Sequence, residues 1–331
     1  MTTTTPMRTP IPARPEAVPT SVRLYPRYEG SNICTWIGFK HVNYLVEEAV
    51  LDHYRQSGRP ARLLYEEYGL CLELVSIDTR ILHALHMDDL VTAVVEPTAD
   101  AGGAADAEAC FNVTLYVERP EPAGALKAAV SKVRAVLRRD PRGGPAAATP
   151  RDLDRFVTDT IGAAAAAASV AAPVATSGED PVLAGLTAGR NAFGWRWRMP
   201  YFYCHFTERV QMSGYLRLME EVVDLFLADR GVSIKRLLDE QQWIPVVPHS
   251  SIELVGEALM EEDIYTVFTV EEIFKDVTYR SAMNCYVSRP QGIVPVAAGS
   301  ITHGYAVLDG RRDWHLVHFD KRMLDALRGG H

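Results

Sequence analysis

Residues His41–Gly58 read HVNYLVEEAVLDHYRQSG, and Ser213–Gly231 read SGYLRLMEEVVDLFLADRG. Both carry Tyr-Leu, then Glu-Glu, an apolar run and a closing Gly. In the first, Val42, Leu45, Val46, Ala49, Val50 and Tyr54 recur at i, i+3/i+4 spacing, the mark of a helix with one apolar stripe. In the second, Tyr215, Leu218, Met219, Val222, Val223, Phe226 and Leu227 do the same, while Leu216 and Leu225 lie off the stripe. That helix is expected to be enclosed over most of its circumference. The expected spans are residues 41–57 and 213–230.

The flanking pieces recur in the same order. After the first helix come LCLELVSIDTRILHAL, MDDLVTAVVEPT, CFNVTLYVERPEP and ALKAAVSKVRAVLRRD, each alternating as a strand does. After the second come PHSSIELVGEALMEED, IYTVFTVEEIFKDV, YRSAMNCYVSRPQ and PVAAGSITHGYAVLD. FNVTLYVERP and MNCYVSRP both end in Arg-Pro, and the offset stays at roughly 170–174 residues, as in a duplicated unit. SVRLYPRYEG and WRWRMPYFYCHFTER supply a strand ahead of each helix. The pattern is α+β, an antiparallel sheet with a helix against it, written twice. The expected divisions are a loose Thr/Pro-rich tail over 1–20, a first unit over 21–140, a linker rich in Ala, Pro and Gly over 141–189, and a second unit over 190–328. Within the linker, the Ala run after Gly162 reads equally as a coil or as a helix.

Bulk composition bounds the partners. The chain has 331 residues, 47% of them hydrophobic, and a net charge of −8. That acidity argues against a nucleic-acid surface. No apolar run is long enough to span a bilayer, and the opening residues lack the apolar core of a secretory signal. Five scattered cysteines without a C-x-x-C pair read as free thiols of a cytoplasmic protein rather than a disulfide framework or zinc site. No metal or cofactor is expected.

GFKHVNYLVEEAV resembles the G-H-V-N-N…Y-L…F-E-E-A signature of the 4-hydroxybenzoyl-CoA thioesterase-like hotdog family. HFTERVQMSGYLRLMEEVVDLFLADRG resembles that family's R-Y-x-E-T-D-x-M-G stretch and the helix after it. Both also resemble the hotdog thioesterases that release enediyne polyketide chains. The resemblance implies a double hotdog, two sheets each wrapping one long helix. It implies an acyl-thioester hydrolase acting on acyl-CoA or an acyl-carrier-protein-bound chain, with polyketide metabolism as one setting. A monomer or homodimer of double hotdogs follows, since fusion supplies the partner a single unit needs. The slots that hold Asp in the family hold Ile37 and Val210 here. A hotdog dehydratase and a non-catalytic acyl-binding protein are the alternatives.

Thioester hydrolysis needs helix N–H groups at the carbonyl oxygen and a group that orients or deprotonates water. At the first helix start the candidates are His41, as base, and Asn43, as oxyanion donor or cap. At the second they are Glu208 and Arg209. One cavity drawing on both segments is expected to do the work. Gln211, Tyr203, His205 and Trp36 are the expected substrate contacts. Glu47, Glu48, Glu220 and Glu221 lie further along the helices. A buried one would have the raised pKa that suits a base, against the plainer reading of a structural Glu-Glu pair.

Overall fold

The structure is a computed structural model that describes residues 18–98, 107–119, 124–142, 144, 146–162, 180–206, 208–309 and 313–329. Most of the expected tail and the Ala run lie outside the described residues. The elements, in chain order, are β1 (Thr20–Leu24), α1 (Phe39–Gln56), α2 (Ala61–Tyr68), β2 (Leu70–Ile81), β3 (Val91–Thr98), β4 (Ala109–Arg119), β5 (Gly124–Arg139), β6 (Val157–Thr158) and α3 (Pro181–Thr187). There follow β7 (Ala192–Arg198), β8 (Cys204–His205), β9 (Arg209–Val210), α4 (Met212–Asp229), α5 (Ile234–Gln241), β10 (Trp243–Leu254), β11 (Asp263–Phe274), β12 (Thr278–Arg289), β13 (Gly292–Asp309), β14 (Asp313–Leu316) and α6 (Lys321–Arg328).

One antiparallel sheet runs β1-β3-β4-β5-β2-β10-β13-β12-β11-β7, with β14 on β13 and β6 parallel to β5. Its two halves mirror each other about the β2–β10 pair. The order β1-β3-β4-β5-β2 answers β7-β11-β12-β13-β10. Where β2 meets β10, Thr79 faces Ser250 and Ile77 faces Ile252.

The helices repeat even more closely. α1 and α4 are both 18 residues long, and their starts differ by 173. Adding 173 to each buried position of α1 (39, 41, 42, 43, 45, 46, 49, 50, 53, 54) gives the buried positions of α4. The same shift carries α2 onto α5 and β2 onto β10. Residues such as Val46, Val50, Met219 and Phe226 are wholly buried against the sheet. Each contributes on the order of 1.5–3 kcal/mol.

The long helices start within two residues of their expected positions. α2 and α5 were not expected. Both end on residues in the left-handed conformation, Gly69 and Gln242, which release the chain directly into β2 and β10. The strands expected ahead of the helices are shorter than their apolar patterns. Each gives way to a 3-10 turn, Tyr28–Gly30 and Tyr201–Tyr203, again 173 apart. All five cysteines are free. Among the described residues no helix is long and apolar enough to cross a membrane.

Candidate active site

The N-terminal halves of α1 and α4 lie alongside each other, antiparallel. Lys40 forms an ion pair with Glu220, and the Tyr44 hydroxyl donates to the Ser213 carbonyl at 3.4 Å. The repeat maps Lys40 onto Ser213 and Glu220 onto Glu47. By that symmetry the positions equivalent to Lys40 and Glu220 are Ser213, at the start of α4, and Glu47, on α1. One member of the pair has exchanged an ammonium for a hydroxyl.

The electrostatic consequence is large. Glu220 is neutralised by Lys40 and is 45% exposed. Glu47 is half-buried, and among the described residues it makes no ion pair or hydrogen bond. Burial pushes its carboxyl up to about 7, against the pull of His205 and with the push of Glu48 and Glu73.

The two helix starts differ in packing as well. At α1, the His41 imidazole is buried over the first turn and packs on Gly30, where an added Cβ would lie 2.6 Å from His41 Cγ. At α4 the equivalent positions are exchanged. Gly214 takes the place of His41, and Tyr203 takes the place of Gly30. A Cβ on Gly214 would lie 2.9 Å from Val210 Cγ1 and 3.3 Å from Tyr203 Cβ. The large side chain sits on the helix at one start and on the preceding turn at the other. Among the described residues nothing accepts a hydrogen bond from the N–H groups of Met212 or Ser213, nor from those of Phe39 or Lys40 at the α1 start. Free helix N–H groups with a positive dipole end suit a developing oxyanion.

The segment between the 3-10 turn and α4 brings His205 to Glu47. His205 Nε2 lies 2.7 Å from Glu73 Oε2, and Arg209 Nη2 donates to Glu73 Oε1 at 2.7 Å. Burial alone would raise the Glu73 carboxyl, but its bonds to His205 and Arg209 hold it below the usual carboxylate value. An ionised Glu73 accepts from His205 Nε2–H, which leaves Nδ1 as the ring nitrogen not engaged by Glu73. Phe206 adopts a left-handed backbone (φ 53) and covers the outer side of the imidazole at 4.8 Å between ring centroids.

The residues singled out from sequence are not brought to one cavity. His41 pairs with Glu29 at 3.2 Å at the start of α1, and burial lowers its pKa against the effect of that bond. Asn43 neither caps α1 nor stands free as an oxyanion donor. The N-cap is Gly38, without a side-chain bond. Asn43 donates to the Phe39 carbonyl at 2.9 Å and to Ser250 at 3.3 Å, and accepts from Thr79 at 2.7 Å. It ties α1 to β2 and β10 inside the core. Glu208 turns outward to an ion pair with Arg142, while Arg209 turns inward to Glu73. Gln211 is the N-cap of α4, its N–H donating to the Tyr203 carbonyl at 3.0 Å. Tyr203 packs edge-on to Trp197 at 5.2 Å, with the Arg217 guanidinium 5.5 Å over its ring. Trp36 lies in the segment leading into α1, edge-on to Trp314 at 5.3 Å. His205, Tyr203, Gln211 and Arg209 thus gather at the α4 start, while His41 and Trp36 lie at the α1 start.

Sequence reasoning missed Glu73. Its signal was a lone acid inside LCLELV, a run otherwise apolar on both faces. Among the described residues no group of three His, Cys, Asp or Glu side chains is disposed to hold a metal ion.

No family model matches the chain, and no curated protein matches it. Solved structures do. A protein assigned as an oleoyl thioesterase from Lactobacillus plantarum superposes with a TM-score of 0.57 at 10% identity, over 87% of this chain and 96% of that one. The 12:0-ACP thioesterase from Umbellularia californica gives 0.54 at 10% identity, over 87% and 94%. An acyl-ACP thioesterase from Bacteroides thetaiotaomicron gives 0.53 at 9% identity, over 86% and 97%. With so few shared residues the likeness speaks to fold alone, and this chain shares the hotdog architecture of those structures.

Proposed function

We propose that the chain is a double hotdog, with units over 21–140 and 190–328, that hydrolyses an acyl thioester carried by CoA or an acyl carrier protein. The observation that carries this reading is the asymmetry of Glu47 and Glu220. One carboxylate has its pKa near neutrality and no ion-pair partner among the described residues, and its repeat is held by a lysine. Thioesters are the substrates named for the acyl-ACP thioesterases of like fold.

In this reading the substrate carbonyl sits at the first turn of α4, and the N–H groups of Met212 and Ser213 hold its oxygen as it becomes an oxyanion. Glu47 takes a proton from water as the water attacks, a task matched by a pKa near the working pH. The proton passes on to the departing thiolate. His205, fixed by Glu73, favours the ionised form of Glu47 and orients the water through Nδ1. Gln211 and Tyr203 line the approach, and Tyr201 and Phe202 stand exposed beside it.

A histidine and a carboxylate from opposite units are also what a dehydratase needs, and His205 with Glu47 makes that the second reading. Intact-mass measurement of an acylated carrier protein incubated with the chain separates the readings. Loss of the whole acyl group supports hydrolysis. Loss of one water supports dehydration. An unchanged mass across acyl-CoA and acyl-carrier substrates would reject both.

A further inference from the structure

The second unit holds a group of buried polar side chains that the thioester site does not use. The Tyr279 and Tyr305 hydroxyls, Ser281 Oγ and His303 Nδ1 are all buried; among the described residues Ser281 Oγ and His303 Nδ1 have no hydrogen-bond partner, and the two phenols have only each other. A hydrogen bond between the two phenols uses one hydroxyl proton and leaves the other without an acceptor. The four side chains lie on neighbouring strands. Tyr279 of β12 faces His303 of β13 in register, with Ser281 and Tyr305 two residues further along their strands. The Tyr279 and His303 rings stack at 5.4 Å. Ser281 and Tyr305 lie on opposite sides of the Tyr279–His303 pair, and since buried polar groups are nearly always paired, this row, with one proton and two other polar atoms unmatched, calls for a partner.

The first unit provides an internal control. Both β4 and β12 run to the Arg of an Arg-Pro pair, and both carry a register shift four residues before that Arg's own partner strand begins to close the hairpin, after Leu115 and after Cys285. Matching those shifts sets Tyr279 and Ser281 against Ala109 and Phe111. The facing strand then sets His303 and Tyr305 against Ala135 and Leu137. All four counterparts are apolar and buried. The fold therefore does not require polarity at these positions.

We propose that Tyr279, Ser281, His303 and Tyr305 form a recognition pocket for a neutral oxygen function, a hydroxyl or a ketone, carried on the far part of the acyl chain. Neutrality follows from the surroundings. Burial pushes the His303 imidazole down to about 3, so it is uncharged at working pH, and the charged group acting on Tyr305 is the Asp224 carboxylate, which disfavours an anion. The link to the acyl chain rests on the reading of the α4 start as the thioester site. Asp224 lies about 16 Å along the α4 axis from Ser213, at ~1.5 Å per residue. Between them, the Met219 methyl fills the space above Gly299, where a Cβ would lie 2.5 Å from it, and the Met283 methyl is 3.7 Å away. Two flexible thioethers on that line can move aside for a chain.

The test compares dodecanoic acid with omega-hydroxydodecanoic acid on the full chain, read by calorimetry and by the fluorescence of Trp243, whose ring lies 5.7 Å from Tyr305. The hydroxy acid is expected to bind at least tenfold tighter. The double variant Tyr279→Phe/Tyr305→Phe keeps both rings and is expected to bind the two acids alike, with its affinity for dodecanoic acid unchanged. Ser281→Ala serves as a milder variant if the double one does not fold, and is expected to narrow the preference. Equal affinities in the wild type, a preference that survives loss of the hydroxyls, or no binding of either acid would overturn the pocket. The catalytic reading fails separately. Selective binding without thioester hydrolysis leaves the pocket standing, and hydrolysis without selectivity leaves only the catalytic site.

Discussion

Replacing Glu47 by Gln should make the protein more stable at alkaline pH while removing its activity. The carboxyl is raised from an ordinary 4.5 to about 7 in the fold. Below about pH 4.5 both folded and unfolded chains hold the proton, and Glu47 costs nothing. As pH rises from there, the unfolded chain ionises while the native one keeps its proton, so stability falls. Above about pH 7 both are ionised and the full cost remains. The gap from 4.5 to about 7, at roughly 1.4 kcal/mol per pH unit, amounts to roughly 3 kcal/mol. Gln has the same shape and no charge, so the variant is relieved of that cost at pH 8, and of less than about 1 kcal/mol at pH 5. For a chain of this size roughly 2 °C of melting temperature corresponds to 1 kcal/mol. Thermal unfolding at pH 8 should therefore show Glu47→Gln melting ~6 °C above wild type, with the difference shrinking steadily toward pH 5. A variant that melts at or below wild type at pH 8 would refute the claim that an ionised carboxylate is held there against its desolvation.

Further outcomes follow from the same geometry. Turnover should rise with pH through about 7 as Glu47 ionises, and Ser213→Lys, which copies Lys40 to its equivalent position in α4, should move that midpoint at least one unit lower and cut turnover at least tenfold; a pH–rate profile measures both. Asn43→Ala leaves Ser250 without its partner and Thr79 with Ser131 alone, and should cost about 1–3 kcal/mol in denaturant unfolding, while turnover per folded molecule stays near wild type. Gly214→Ala drives a Cβ into Val210 and Tyr203, and should displace the segment bearing His205 and lower kcat at least tenfold with no matching loss of stability. His41→Ala, at the α1 start, should leave kcat within about twofold of wild type, because His41 is engaged with Glu29 and not with Glu47.

The long helices were legible because their apolar residues fall at helical spacing twice over, and every residue of the two apolar stripes is buried. The short helices α2 and α5 escaped notice because each is only 8 residues long with a single buried residue, Leu64 or Leu237, so the apolar pattern has no period to show. The candidate site was legible in part. His205, Tyr203 and Gln211 were picked as neighbours in sequence just before a helix start, and chain connectivity keeps such neighbours together. His41 and Asn43 also lie at a helix start, but their environment is set by side chains far away in sequence, Glu29, Thr79 and Ser250. Glu47 and Glu220 look alike in the two Glu-Glu pairs. Their difference depends on Lys40 pairing with Glu220 across the helix pair while its equivalent is Ser213, which no local pattern records. Glu73 acts through His205 and Arg209, both more than 130 positions away.

Steady-state turnover of one acyl thioester by Glu47→Gln and by Glu220→Gln, measured side by side on folded protein, bears most directly on a single working site. Loss of a positioned base costs about 100-fold or more. Glu47→Gln should fall by at least that factor, and Glu220→Gln, which only frees Lys40, should remain within about twofold of wild type. Equal losses in the two variants, or a loss confined to Glu220→Gln, would contradict the assignment of the reaction to Glu47 and the α4 start.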